Sequence, residues 1–242
     1  MKLIKIGASL AALALAVIAT SVAPALSANS WEDCTKGEDE DRVILACTEV
    51  IAEGRETSQE LAQAYNQSCL AYIDKTDFDR AIVDCDKAIE LDPNLATAYL
   101  NRCYANNGKQ DYDRAIADCS RAIELDPKFS RAHSTRCWTH VFMGQAQQAL
   151  ADCSEAVKLD PNNDSALSAR GFMYLKLGDY DEAIAVYDLP IKINPDSAWS
   201  LYGRGLAKLK KGDSSGNEDI AAAKALKRNY DIAKEFARYG VN

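Results

Sequence analysis

Ala96 to Phe129 reads ATAYLNRCYANNGKQDYDRAIADCSRAIELDPKF, and the chain on either side of it is built from copies. Displaced by the length of this one stretch, the sequence matches itself. DYDRAIADC at Asp111–Cys119 answers DFDRAIVDC at Asp77–Cys85, and ELDP at Glu124–Pro127 answers ELDP at Glu90–Pro93. A fixed period of this length marks stacked supersecondary units, each burying its apolar face on its neighbours.

Each unit carries the pattern of two short helices. In the first, apolar residues fall at i, i+4 and i+7, as with Tyr65, Cys69 and Tyr72. A polar turn follows, broken by Gly144 or Gly178 in two of the copies. The second helix carries Ala81, Cys85, Ala88 and Ile89 on one face. Asp92-Pro93, Asp126-Pro127, Asp160-Pro161 and Asn194-Pro195 end it, because proline offers no N–H and restricts the residue before it.

Four full units are read at Ala62–Leu95, Ala96–Phe129, Ser130–Asn163 and Asp164–Ser197. Residues 29–61 form an N-terminal cap, in which Asp41–Ile51 echoes the second half of a unit. Residues 198–242 hold a divergent fifth unit. Its second helix is expected over Glu218–Lys227, and a terminal capping helix over Tyr230–Tyr239, with Lys234, Glu235 and Arg238 facing water.

The unit resembles the tetratricopeptide repeat. The residues that carry the likeness are Tyr65 and Tyr99, Tyr72 and Tyr174, Gly144 and Gly178, and Tyr112 and Tyr180. The alanines Ala81, Ala115, Ala149 and Ala183, the column Ala88, Ala122 and Ala156, and the terminal prolines complete it. The resemblance implies an all-α, right-handed superhelical solenoid of antiparallel helix pairs. It further implies a concave groove, lined by the first helices, that holds a protein or peptide partner. On this reading the groove is lined by Leu70, Tyr104, Trp138, Phe172 and Leu206, flanked by Leu100 and Tyr202. The basic residues with which some relatives clamp a terminal carboxylate are missing, although Asn66 and Asn101 remain. Pro190 departs from the alanine column and is expected to kink its helix.

Met1 to Ala28 combines a basic tip, an apolar run and a small-residue exit, the composition of a secretory signal peptide. A membrane anchor competes with it, but the run is short for a span of roughly 20 residues and no later stretch is apolar enough. An exported chain, in a bacterial periplasm or secreted, is therefore expected. Losing Lys2 and Lys5 with the leader takes the formal charge from −8 to −10. So acidic a surface, without a basic cluster, argues against nucleic acid as a partner.

Eight cysteines in an exported chain favour disulfides over free thiols. Pairing within units would join Cys34–Cys47, Cys69–Cys85, Cys103–Cys119 and Cys137–Cys153. Pairing between units would join Cys47–Cys69, Cys85–Cys103 and Cys119–Cys137. The first is favoured because both columns change together in the fourth unit, to Gly171 and Tyr187, while buried free thiols remain the plainest alternative.

Three further readings concern chemistry. His133, Cys137 and His140 share a helix face, and with Cys153 opposite they would make a zinc set, so a metal- or thiol-binding role is the alternative function. Both histidines, however, stand in columns held elsewhere by tyrosine. Arg102, Arg136, Arg170 and Arg204 recur once per unit. Each is expected to pair with an Asp in the second helix of the preceding unit, namely Asp84, Asp118 and Asp152 for the first three. With Val186 in that place, Arg204 is the arginine expected to be free. No nucleophile elbow, phosphate-binding loop or Cys-x-x-Cys is present, so neither catalysis nor a cofactor is expected.

Overall fold

A computed structural model describes residues 30–54, 56–226 and 231–241. The expected signal peptide lies outside the described residues. Those residues form thirteen helices in sequence. The lead-in pair is α1 (Ser30–Lys36) and α2 (Glu40–Glu53). Four pairs follow: α3 (Ser58–Asp74) with α4 (Phe78–Leu91), α5 (Ala96–Gly108) with α6 (Tyr112–Leu125), α7 (Ser130–Phe142) with α8 (Ala146–Leu159), and α9 (Asp164–Leu177) with α10 (Tyr180–Ile193). A fifth pair, α11 (Ala198–Lys210) and α12 (Gly216–Leu226), precedes the short terminal helix α13 (Ile232–Arg238).

The local chemistry of each boundary is repeated. Asp77 and Asp111 accept the backbone N–H of Arg80 and Arg114 at the starts of α4 and α6. Thr57 and Glu60 form a reciprocal capping box at the start of α3. The turn inside each pair passes through left-handed backbone at one recurring position, Thr76, Gln110, Gly144, Gly178 and Gly212. Glycine adopts it freely, whereas the side chains of Thr76 and Gln110 meet steric resistance there. At the far ends, Asp92, Asp126, Asp160 and Asn194 are extended residues that each precede a proline, and α4, α6, α8 and α10 end on them.

The first helices α3, α5, α7, α9 and α11 each pack on the next as well as on their own partners, which makes them the inner layer of an all-α solenoid. Small residues permit this approach: Ala62, Ala98, Ala132, Ala166 and Ala198 are buried where the layers meet. Pro190 takes the buried place of the alanine column, and α10 runs on through it to Ile193.

Four disulfides join Cys34–Cys47, Cys69–Cys85, Cys103–Cys119 and Cys137–Cys153, each within one helix pair. In α9 and α10 the place of the bridge is filled by the Tyr187 ring. It lies so close to Gly171 and Gly203 that a Cβ added at either glycine would meet the ring inside 3 Å. One apolar cluster then runs unbroken from Cys137 and Val141 through Phe172 and Tyr187 to Phe236 and Val241. Units nearer the N-terminus have smaller separate clusters.

Candidate functional site

The inner layer brings the aromatic column together, but not as an open groove. Tyr104 and Trp138 are half-buried and reach its surface. Leu100 and Phe172 are buried, and Tyr202 and Leu206 nearly so. As free groove surface, these four are a correction to the sequence reading. Leu100 packs inside its own unit with Cys103 and Cys119. The others lie in the cluster that α13 completes.

The terminal helix sits on the inner layer. The Phe236 ring lies 4.3 Å from Trp199, 4.9 Å from Tyr202 and 5.2 Å from Phe172, centroid to centroid. The Tyr239 ring stacks on Phe142 at 4.8 Å. Lys234 and Arg238 are exposed as expected, whereas Glu235 is half-buried and turned along the groove. Leu70 lies apart, half-buried at the N-terminal end beside α1, where Glu38, Glu40 and Asp74 share its hollow. Burial and the Glu40 charge raise the Asp74 carboxyl above its ordinary range.

What remains between Tyr104 and α13 is a cavity of about 370 Å³. Its walls are the rings of Tyr104, Trp138, Phe142, Trp199 and Tyr239, and Asn107 and Glu235 are polar groups at its edge. The Trp138 indole N–H donates to the Ser165 carbonyl and hydroxyl at 3.1 and 3.0 Å, which fixes the ring. Asn107 exchanges hydrogen bonds with Thr139 on the next first helix. Asn66 and Asn101 bind each other, with the Asn101 amide donating to the Asn66 side-chain oxygen at 2.9 Å. Trp199 and Phe142 were missed in the sequence. The signal was there for Trp199, which precedes Tyr202 and Leu206 by three and seven positions on one helix face.

The arginine column pairs differently from expectation. Arg102 is bidentate to Asp118 and Arg136 to Asp152, each across its own hairpin, whereas the sequence reading expects Asp84 and Asp118 of the preceding unit. Arg102 does reach back to the preceding unit, but to Asp86, and Arg136 reaches Ser120. Arg204, expected to be free, is held by Asp219 and Asp188. Arg170 is the exception in the column. Val186 stands across its hairpin, and its buried Nε has no acceptor among the described residues. Asp84 instead accepts the Ser68 hydroxyl at 2.6 Å, and burial raises its carboxyl above the ordinary range despite that bond.

The metal alternative loses its sulfur ligands, since Cys137 and Cys153 are bonded to each other. The two histidines face Asp152 instead, with His133 Nδ1 at 3.8 Å and His140 Nε2 at 3.6 Å. His140 Nδ1 is 2.6 Å from the Gln145 side-chain oxygen. Burial would raise Asp152, but the hydrogen bonds from Arg136 and its positive charge outweigh it and hold the carboxylate low. Among the described residues, no group of three or more His, Cys, Asp or Glu side chains is placed to hold a metal ion.

Tetratricopeptide repeat models match residues 62–95, 96–129 and 153–185, and a further TPR repeat model matches 173–212. Among solved structures, the chain is similar to YrrB, described as a TPR protein with an unusual peptide-binding site. That likeness has 23% identity and a TM-score of 0.55, covering 80% of this chain and 98% of the other. It is similar also to MamA from Desulfovibrio magneticus, at 17% identity and a TM-score of 0.59, covering 70% and 97%. A thermophilic TPR protein of Thermus thermophilus matches at 18% identity and the same TM-score of 0.59, covering 70% and 91%. At these identities the likeness is one of fold. No curated protein matches the chain.

Proposed function

This chain belongs to the tetratricopeptide repeat family, and from that premise we propose that it is an exported, non-catalytic scaffold that binds a protein segment in its concave groove. The observation that carries this reading is the aromatic cavity of about 370 Å³ between Tyr104 and Tyr239. Pockets lined by rings with a few fixed polar groups are the usual form of a binding site, and aromatic anchors supply most of the affinity at such surfaces. The peptide-binding site named for YrrB is in keeping with it.

Export is supported by the composition of residues 1–28 and by four disulfides, which persist in oxidising compartments. No helix among the described residues is long and apolar enough to cross a membrane. The repeat units are taken as residues 62–95, 96–129, 130–163 and 164–197, with 29–61 and 198–242 as the terminal caps.

The test is capture of partners from an envelope extract by the chain and by Tyr104→Ala/Trp138→Ala, two half-buried rings that line the cavity, of which Trp138 also packs on the core cluster. The variant should keep its helicity and lose partner capture. Equal capture by a folded variant would discard the groove reading.

A further inference from the structure

Helix α13 has 7 residues, too few to be stable alone in water, so it takes its conformation from the surface on which it lies. That surface reads three side chains. Ile232 and Phe236 are buried, and Tyr239 stacks on Phe142, giving apolar, aromatic and aromatic contacts at i, i+4 and i+7. Lys234 and Arg238 are exposed to solvent, Arg238 reaching the Glu235 carboxylate at 3.9 Å. The arrangement is that of an amphipathic helix laid in a groove, with Phe236 as the anchor in a socket made by Phe172, Trp199 and Tyr202.

The aromatic cavity adjoins this seat, and Glu235 and Tyr239 form part of its wall. A segment that follows the groove from Tyr104 toward the C-terminal end therefore runs into α13. Only residues 227–231 link α13 to α12, and α13 packs on the inner layer against α11.

We propose that α13 is a resident ligand of the groove, and that the partner is an amphipathic helical segment with an apolar residue and two aromatics at i, i+4 and i+7, which displaces α13 from the Phe172, Trp199 and Tyr202 socket. The proposal rests on the groove reading given above and specifies its ligand class. It makes affinity depend on release of α13, because a site occupied by its own tail binds a competitor only in proportion to the fraction that is open.

The test uses the full chain and a synthetic peptide copying residues 231–241, with calorimetric titration as the readout. Ile232→Ala/Phe236→Ala in the full chain empties the seat, and this variant should bind the peptide at least about 10-fold more tightly than the unaltered chain. A peptide with alanine in place of its Phe236 should not bind, and Trp199→Ala in the chain should abolish binding of the parent peptide. No gain in affinity by a folded variant would overturn the proposal and make α13 plain core.

Should the variant lose its fold, native-state hydrogen exchange of the unaltered chain decides instead. The α13 amides should exchange through an opening that leaves α11 protected, and exchange of both helices only together would overturn the proposal. A concentration-dependent dimer that Phe236→Ala abolishes would assign the seat to a second copy, and would also overturn it. Loss of capture in Tyr104→Ala with unchanged peptide affinity separates the two readings, since the Tyr104 ring lines the cavity and, among the described residues, stacks on none of the socket rings.

Discussion

Removing the bridge between Cys103 and Cys119 should cost as much through either cysteine alone as through both. The two sulfurs are fully buried and close a loop with a sequence separation of 16. In the chain-entropy account, a cross-link closing about 15 residues stabilises the folded state by roughly 3 kcal/mol. Cys103→Ala, Cys119→Ala and the double variant each lose that one constraint. All three should therefore be destabilised by about 3 kcal/mol, plus a small packing loss. The coupling in the double-mutant cycle is then also about 3 kcal/mol, far above the few tenths expected of independent sites. For a chain of this size the melting temperature should fall by roughly 6–12 °C. The assay is thermal unfolding followed by circular dichroism, with intact mass after alkylation to show no free thiol in the parent and one in each single variant. Additive losses, or a reactive thiol in the parent, would refute the within-hairpin staple.

Further tests follow from single positions. The Tyr187 hydroxyl is buried with no hydrogen-bond partner among the described residues, so Tyr187→Phe should raise stability by about 1 kcal/mol, relieving an unmet polar group at the cost of a small void. A fall in melting temperature would show that the hydroxyl is satisfied. Thr76 holds left-handed backbone that its branched side chain resists, and Thr76→Gly should stabilise by up to about 1 kcal/mol in a denaturant melt. An unchanged or lower midpoint would count against strain at that turn. Asp84 is raised above its ordinary range chiefly by burial, so the folded chain holds that proton more tightly than the unfolded one. Its charge therefore opposes folding increasingly as pH rises from the unfolded value, about 3.9, through the folded one. Asp84→Asn should be the more stable form at neutral pH and should lose that advantage near about pH 3.5. A constant difference across this range would exclude the ionisation as its cause.

The period was legible because every unit must satisfy the same geometry, and a constant spacing brings the same column back to the same place. The bridges were legible for a further reason. Two pairings fit the cysteine columns, and the joint change to Gly171 and Tyr187 distinguished them. The same logic misled at the arginines. One aspartate column lies ahead of each arginine in its own unit and behind it in the preceding unit, and both spacings repeat equally well. The true partner of Arg204 is displaced by the divergent turn of the fifth unit. Asp219 is out of register with Asp118 and Asp152, and so could not be recognised as a member of their column. Groove exposure was illegible from the repeat alone, because the Phe236 ring that covers Phe172 and Tyr202 lies outside the repeating part. Its pattern of Ile232, Phe236 and Tyr239 was nevertheless in the sequence, and amphipathicity of that kind implies a surface to receive it.

Two ways of bracing a helix pair meet at the fourth unit, and their meeting bears on what the groove can do. From α1 to α8 each pair carries a disulfide, and the second and third units add a bidentate arginine pair. In α9 and α10 both devices lapse together: Gly171 and Tyr187 replace the bridge, and Val186 stands where an aspartate would meet Arg170. The lost constraint is offset by apolar packing, since Tyr187 fills the space against two glycines and the continuous cluster extends through Phe172 to Phe236. Covalent bracing holds a helix pair whether or not its inner face is covered, whereas bracing by burial depends on what lies over that face. The N-terminal half can therefore present Tyr104 and Trp138 to solvent at fixed geometry. The C-terminal half keeps its inner rings covered by α13, and by the argument above any partner that removes this cover must supply an apolar face of the same shape. Rigid presentation on one side and an exchangeable cover on the other give the groove a direction, with first contact at Tyr104 and Trp138 and displacement at Trp199.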